Sequence, residues 1–199
     1  MTIKIISICG YSGSGKTLYS KIISNKFSNS YILSTDRYYK SVPKNVDITT
    51  YDFDNPNAID INKLYSDIKK LKTGEKVNIP DYDFINHERT SKVDTINLVN
   101  DGVLIIEGIF LLSLEWIRNI SDIMVFIDVH EETCFKRRLD RDVKERGMDK
   151  KEIIEQYLGS VKPSQERFIK PYIKFATIKI DNNDNLYNIE IPNSIINLL

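Results

Sequence analysis

Charge of one sign is missing from this chain: across 199 residues, 28 lysines and arginines are matched by 28 aspartates and glutamates. Without a basic or acidic excess there is no global electrostatic pull toward nucleic acid or a membrane surface, so neither is expected as a partner. Cysteine is scarce. Cys9 lies in a run that reads as a buried strand and Cys134 in a helical stretch, which excludes a disulfide framework and suits a reduced, cytoplasmic protein. No apolar run is long enough to span a bilayer, and the one near Met1 is too short for a signal peptide and is needed as a first strand. The Asn-Ile-Ser sequon at Asn119 therefore carries no weight. Internal repeats and low-complexity tracts are absent too. The length suits one domain with room for a small insertion, and a core that needs no covalent staples.

What is present is concentrated near the start. Gly10-Tyr11-Ser12-Gly13-Ser14-Gly15-Lys16-Thr17 fits G-x-x-x-x-G-K-[ST] at every fixed position. Glycines let such a loop bend tightly and turn its N–H groups inward around a chain of phosphates. Lys16 is placed to reach the β- and γ-phosphates and the Thr17 hydroxyl to bind Mg²⁺. A glycine-rich surface turn would match by chance, but the setting argues against that. The β-branched run Ile3 to Cys9 reads as a buried parallel strand, and a helical pattern with Leu18, Ile22 and Ile23 on one side follows. Strand, loop and helix together make the anion site, with the helix dipole added.

Further along, Tyr31 to Ser34 reads as a second strand running into Asp36, at the carboxyl end where ligands sit in open α/β sheets. Asp36 is a site candidate there; a turn or helix-capping aspartate is the plainer reading. Residues 41 to 57 form a long polar loop with a turn at Asn55-Pro56, and Tyr51 and Phe53 argue that it is ordered. Ile61, Leu64, Ile68 and Leu71 mark a helix ending near Gly74. Lys76 to Pro80 and Thr90 to Val99 read as short strands around the polar turn Asp81 to Arg89, a hairpin or lid of about 76–99 inserted into the main sheet. Tyr82, Phe84 and His87 give it stacking surface and a switchable donor or acceptor, suited to a planar ligand. Val103 to Ile106 is a buried strand ending in Glu107, where a phosphate-loop protein carries a metal-orienting acid; a capping or solvent-facing glutamate is the alternative. Leu111 to Ile120 reads as a helix and Ile123 to Ile127 as a strand.

Glu131 to Arg146 is helical by period, with Phe135, Leu139 and Val143 as its core stripe. Arg138 and Asp142, and Arg141 and Glu145, stand four apart and read first as surface pairs worth ~0.3 kcal/mol each. Arginines that close over phosphates are the other reading of the same set. Gly147 marks the helix stop. Lys150 to Val161 is a second helix, broken or bent by Pro163, and Ala176 to Ile180 a last strand; the tail from Leu186 to Leu199 stays unassigned.

In this order the motifs resemble the uridine–cytidine kinase family of the phosphoribulokinase-like P-loop kinases, over about Ile3 to Leu186. The resemblance rests on the phosphate loop, Leu33-Ser34-Thr35-Asp36-Arg37-Tyr38-Tyr39, Asp52-Phe53-Asp54-Asn55-Pro56-Asn57-Ala58, and Ile79 to Phe84 with His87 and Arg89. It extends through Ile106-Glu107-Gly108, Arg137 to Gly147, and Gln156-Tyr157 with Val161-Lys162-Pro163. It implies a P-loop NTPase-type α/β three-layer sandwich with a mostly parallel five-stranded sheet, a hairpin insertion, and a helical lid at about 131–162. It also implies transfer of the γ-phosphoryl group of ATP or GTP to the 5′-hydroxyl of uridine or cytidine with Mg²⁺, in a homo-oligomer, dimer or tetramer. Asp36 matches the family's proton acceptor near the metal, completed by Thr17 and Glu107. Tyr82 and His87 match residues that hold the pyrimidine, Asp54 and Arg138 those that bind the ribose hydroxyls, and Tyr39 and Gln156 line the same pocket beside Phe84. Arg141 and Arg146 match lid arginines that meet the phosphates.

Three positions depart from the pattern: Asn55 for a usual histidine, Met148 for a frequent arginine near the nucleoside, and Thr177 for a frequent aspartate before the last strand. None touches the phosphate machinery. Two other readings stay open. One is a kinase of the same superfamily acting on pantothenate, ribulose phosphate or nicotinamide riboside. The other is a nucleotide-dependent switch, although Asn62-Lys63-Leu64-Tyr65 fails the guanine motif Asn-Lys-x-Asp.

Overall fold

The computed structural model describes residues 3–48, 51–99, 101–183 and 191–197. Strand β1 (Lys4–Gly10) lies at the middle of the sheet, buried at every position after Lys4. Parallel β5 (Val103–Glu107) pairs on one side, with Ile6 opposite Ile105, and β6 (Ile123–Asp128) on the other, with Gly10 opposite Ile127. Strands β2 (Ser30–Ser34) and β7 (Ile178–Asp181) extend the sheet in the order β2-β5-β1-β6-β7, every pair parallel. Continuous apolar runs such as Val103 to Ile106 can be buried on both faces only when helices cover both, which gives the expected three-layer α/β form. Parallel strands bring their carboxyl ends to one edge, so the loops after β1, β2 and β5 meet there.

Helix α1 (Lys16–Ser24) starts directly from the loop, behind Gly15 at φ 95°. Its buried side is Tyr19, Ser20 and Ile23; of the expected stripe Ile23 is fully buried while Leu18 and Ile22 are only half-buried. The loop fixes the helix's rotation at its first residue, so the apolar pattern has no say in it. Helix α2 (Ile61–Lys72) is capped by Asp60, whose carboxylate accepts from the Lys63 N–H at 3.1 Å, and buries Leu64, Ile68 and Leu71 as the period predicts. The predicted helix Leu111 to Ile120 is a 3₁₀ turn, Leu111–Ser113, followed by α3 (Glu115–Ile120).

The hairpin strands β3 (Val77–Asp83) and β4 (Glu88–Ile96) reach further into the supposed turn than the sequence suggests, leaving residues 84–87 to reverse the chain. They form a separate antiparallel pair and do not join the main sheet. Two arginines fasten this pair to the 3₁₀ turn Thr35–Tyr38 and its neighbours. Arg37 donates to the Pro80 carbonyl and to Asp94, each at 2.6 Å. Arg89 donates to the carbonyls of Tyr38 and Tyr39, both at 3.0 Å, and to Asp60 at 3.1 Å. Arg89 thus ties hairpin, turn and α2 together through one guanidinium.

Helix α4 (Glu131–Arg146) has the predicted bounds and the αL glycine stop at Gly147, φ 65°, but not the predicted inner face. Phe135 and Leu139 are half-buried and Val143 is exposed; the buried positions are Cys134, Arg138 and Asp142. The helix packs against the phosphate loop. A side chain on Gly13 would overlap the Cys134 carbonyl, so only glycine admits this approach, and the face turned inward carries charge. Beyond α5 (Lys150–Gln156) the chain does not break at Pro163. It stays helical to Ile169 through two π turns, Tyr157–Val161 and Gln165–Ile169, around Lys162–Ser164. Widened turns relieve the clash of a proline ring with the carbonyl four residues back and absorb its missing N–H. Of the unassigned tail, residues 191–197 are described and hold a short helix, Asn193–Ile196; the rest lies outside the described residues. Cys9 and Cys134 are buried free thiols, as expected. Among the described residues, no helix is long and apolar enough to cross a membrane.

Candidate active site

The strand ends open into a cleft of about 930 Å³, including its mouth, bounded by the phosphate loop, the hairpin, α4 and the helix that follows. At its floor are Ser12, Lys16 and Thr17 from the loop, Asp36 after β2 and Glu107 at the end of β5. The Thr17 hydroxyl donates to Glu107 Oε2 at 3.0 Å, and Lys16 Nζ donates to the Tyr11 carbonyl at 2.9 Å. Burial raises the Glu107 pKa; the Lys16 charge works against this and the Asp36 charge with it. Two carboxylates and a hydroxyl share this floor, a hard oxygen set of the kind Mg²⁺ takes. Among the described residues, no three Asp, Glu, His or Cys side chains could by themselves cage a metal. Gly10, Gly13, Ser14 and Gly15, also expected at the phosphate site, are not among the residues lining the cleft, and Ser14 is fully buried.

The opposite wall is aromatic. Tyr39, Tyr82 and Phe84 cluster with centroids 5.1 to 6.3 Å apart, Phe84 edge-on to both tyrosines and the tyrosines tilted at 45° to each other, and the His87 ring lies 4.9 Å from Phe53 at 34°. His87 is held at φ 55°, a left-handed turn geometry that non-glycine residues seldom adopt. Burial, and then the Arg146 charge, lower its pKa, so at neutral pH the ring is uncharged and offers one donor and one acceptor. The Tyr82 hydroxyl, its pKa pushed up to about 12 chiefly by burial, stays protonated and is buried without a protein partner among the described residues.

Between floor and wall stand Asp54, Arg138 and Gln156. Arg138 donates to Gln156 Oε1 at 2.9 Å, and Asp54 accepts from the Ser160 hydroxyl at 2.7 Å. Burial raises the Asp54 pKa, opposed by Arg138 and the Ser160 bond. Arg141 and Arg146 close the cleft from α4; the Arg146 guanidinium lies 4.9 Å over the Phe84 ring, and Arg141 reaches Ser12 at 3.4 Å. Asp36 and His87 therefore share one cleft beside Lys16, together with all the other predicted residues whose side chains could face a ligand.

The sequence model of the phosphoribulokinase / uridine kinase family matches residues 5–185. This chain belongs to that family. A uridine kinase from Borrelia duttonii is 41% identical over 179 residues, covering 89% of this chain and 86% of that protein. The uridine-cytidine kinase A of Dictyostelium discoideum is 39% identical over 197 residues, 98% of this chain and 39% of that longer protein. Among solved structures, the phosphoribulokinase of Rhodobacter spheroides, 13% identical, superposes with a TM-score of 0.64 over 90% of this chain and 70% of its own, a likeness of fold.

In this family member, sequence reasoning missed the groups that hold the site residues. Asp142, read as half of a surface pair, is fully buried and meets Arg141 at 2.8 Å and Arg138 and Arg146 at 3.4 Å. Arg141 pairs with it and not with Glu145 as its spacing suggests. Ser160 and Ser164, which hold Asp54, went unmarked, as did Phe53 as a neighbour of His87. The spacing of Gln156, Ser160 and Ser164, four apart, is a signal that was there to read: a polar helix stripe where an apolar one is usual.

Proposed function

We propose that this chain is a pyrimidine nucleoside kinase, moving the γ-phosphoryl group of ATP or GTP to the 5′-hydroxyl of uridine or cytidine to give UMP or CMP. The observation that carries the reading is the single cleft shared by the phosphate loop, Asp36 and the His87 wall. The names and closeness of the uridine and uridine-cytidine kinases support the choice of acceptor. In this reading the loop amides and Lys16 grip the triphosphate, while Tyr82 and His87 meet the edge of a pyrimidine. Tyr82 lines the cleft, and its hydroxyl, which has no protein partner among the described residues, is a ready donor for a base carbonyl. Asp54 and Arg138 take the ribose hydroxyls and aim the 5′-oxygen at the γ-phosphorus, and Tyr39, Phe84 and Gln156 complete the pocket.

As the new P–O bond forms and the bond to ADP breaks, Asp36 receives the 5′-hydroxyl proton. A weak base is enough, because the transition state is loose and positioning dominates. Arg141 and Arg146 offset charge on the transferred group. Thr17, Asp36 and Glu107 would hold Mg²⁺, which when bound neutralises phosphate charge. The hairpin at 76–99 then serves as the base-holding insertion and residues 131–162 as the lid.

A coupled kinase assay over uridine, cytidine, pantothenate, ribulose phosphate and nicotinamide riboside tests this. Uridine and cytidine are the expected acceptors; turnover of pantothenate without uridine overturns the assignment. Within the same assay, His87→Ala is expected to raise the uridine KM by about 10- to 100-fold while the ATP KM stays within about twofold, since only a base contact is lost. Equal loss for both substrates would make His87 structural.

A further inference from the structure

We infer that Ser160 and Ser164 are positioning residues for the acceptor, clamping Asp54 where it meets the ribose hydroxyls. This rests on the nucleoside reading of the cleft. Asp54 belongs to an irregular segment, 51–55, with no strand ladder to hold it. Among the described residues its own loop offers one tie, the Asp54 N–H to Asp52 Oδ1 at 3.1 Å. Yet it is buried, 7% exposed, and a buried carboxylate needs fixed partners.

Those partners come from a different element. Ser160 donates to Asp54 Oδ2 at 2.7 Å, and the Ser164 hydroxyl bonds the Asp54 backbone carbonyl, so side chain and main chain are both held. A serine inside a helix ordinarily turns its hydroxyl back onto the carbonyl four residues earlier. Ser160 has that option, the Gln156 carbonyl at 3.1 Å, but the charged Asp54 oxygen is nearer. Gln156, one turn earlier on the same stripe, orients Arg138. One helix face thus sets both groups proposed to meet the ribose, Asp54 through its serines and Arg138 through Gln156.

The π turn at Tyr157–Val161 supports this assignment. Widening a helix by one residue rotates everything after it, and such turns cluster at functional sites. Here Ser160 lies within the widened turn and Ser164 just beyond it, before the second one. A stripe needed only for packing would be apolar at these positions.

Ser160→Ala, Ser160→Thr and Ser164→Ala, assayed with uridine and ATP, test the inference. The expected result for Ser160→Ala is a rise of about tenfold in the uridine KM, with the ATP KM within about twofold. Ser160→Thr, which keeps the hydroxyl, should recover most of it. A second readout is the acid limb of kcat/KM for uridine. Asp54 faces Asp52 on its own loop, Arg138 and Asp142 from α4, and Tyr39. Ser160 helps to keep its pKa down against burial, and a protonated Asp54 loses the charge that attracts a ribose hydroxyl. Losing Ser160 should therefore move the acid limb to higher pH, which simple loosening of the helix would not do. Ser164→Ala should raise the uridine KM without moving that limb, because it touches the main chain only. An unchanged uridine KM and acid limb in Ser160→Ala, or parallel losses for both substrates, overturns the inference alone. Absence of nucleoside turnover by the wild-type chain overturns the functional reading and this inference with it.

Discussion

Asp36→Asn is expected to lower kcat by about 10³-fold while ATP binding, measured by calorimetry, changes by less than about twofold. The amide keeps the size of the side chain and can still bond a hydroxyl, but it cannot receive the proton as the phosphoryl group moves. Asp36 sits after β2 at the floor of the cleft, behind the bond from its own N–H to Ser34 Oγ at 3.4 Å. The turn that carries it is pinned to the hairpin by its own Arg37 and by Arg89, so the substitution should leave the fold alone. Near-wild-type turnover in the variant would remove Asp36 from the role of base. Loss of ATP binding in step with turnover would point instead to a role at the phosphates.

The second large effect lies beneath the lid. Asp142→Asn leaves Arg138, Arg141 and Arg146 converging on a neutral amide. Removing one member of a buried ion pair costs about 3–5 kcal/mol. Arg141 and Arg146 are 34% and 30% exposed at their side chains, so solvent screens part of the loss. The low end, about 3 kcal/mol, corresponds to a fall of about 6–12 °C in Tm for a chain of this size. Burial lowers the Arg146 pKa first, with Arg141 adding to it, and Asp142 is the first group acting against both; the variant deepens that imbalance. A triphosphate brings back the missing negative charge. ATP should therefore raise the Tm of the variant by more than it raises that of the wild type, and kcat should fall because the arginines are no longer gathered. An unchanged Tm, or equal stabilisation of both proteins by ATP, would show that Asp142 does not organise the lid.

These two residues were unequally visible in the sequence. Asp36 follows a short apolar strand, and the rule that ligands gather at carboxyl ends of parallel strands marks it out. Asp142 stands four residues from an arginine on a helix of otherwise ordinary surface composition, a spacing that most often means a solvated pair. What changes its meaning is Gly13. By letting α4 pack onto the phosphate loop, it turns inward the face bearing Cys134, Arg138 and Asp142, one residue round from the Phe135, Leu139 and Val143 stripe. The helix after α5 misleads in a similar way. Pro163 reads as a break or a bend, and it is not a break: two π turns carry the helix past it, and Ser160 and Ser164 meet a loop about a hundred residues earlier in the chain.

The amino-acid order by itself determined the five strands of the main sheet, the phosphate loop, the bounds of α2 and α4 and the residue types of the site, because each is written in local chemistry: β-branched runs, glycine spacing, caps and stops. Only tertiary structure decided which face of α1 and α4 is buried, that the hairpin stands apart from the main sheet, and which groups hold Asp54 and the three arginines. Such choices depend on contacts between segments far apart along the chain, where close packing of backbone on backbone outweighs the few tenths of a kcal/mol that a local periodicity or a helical ion pair supplies.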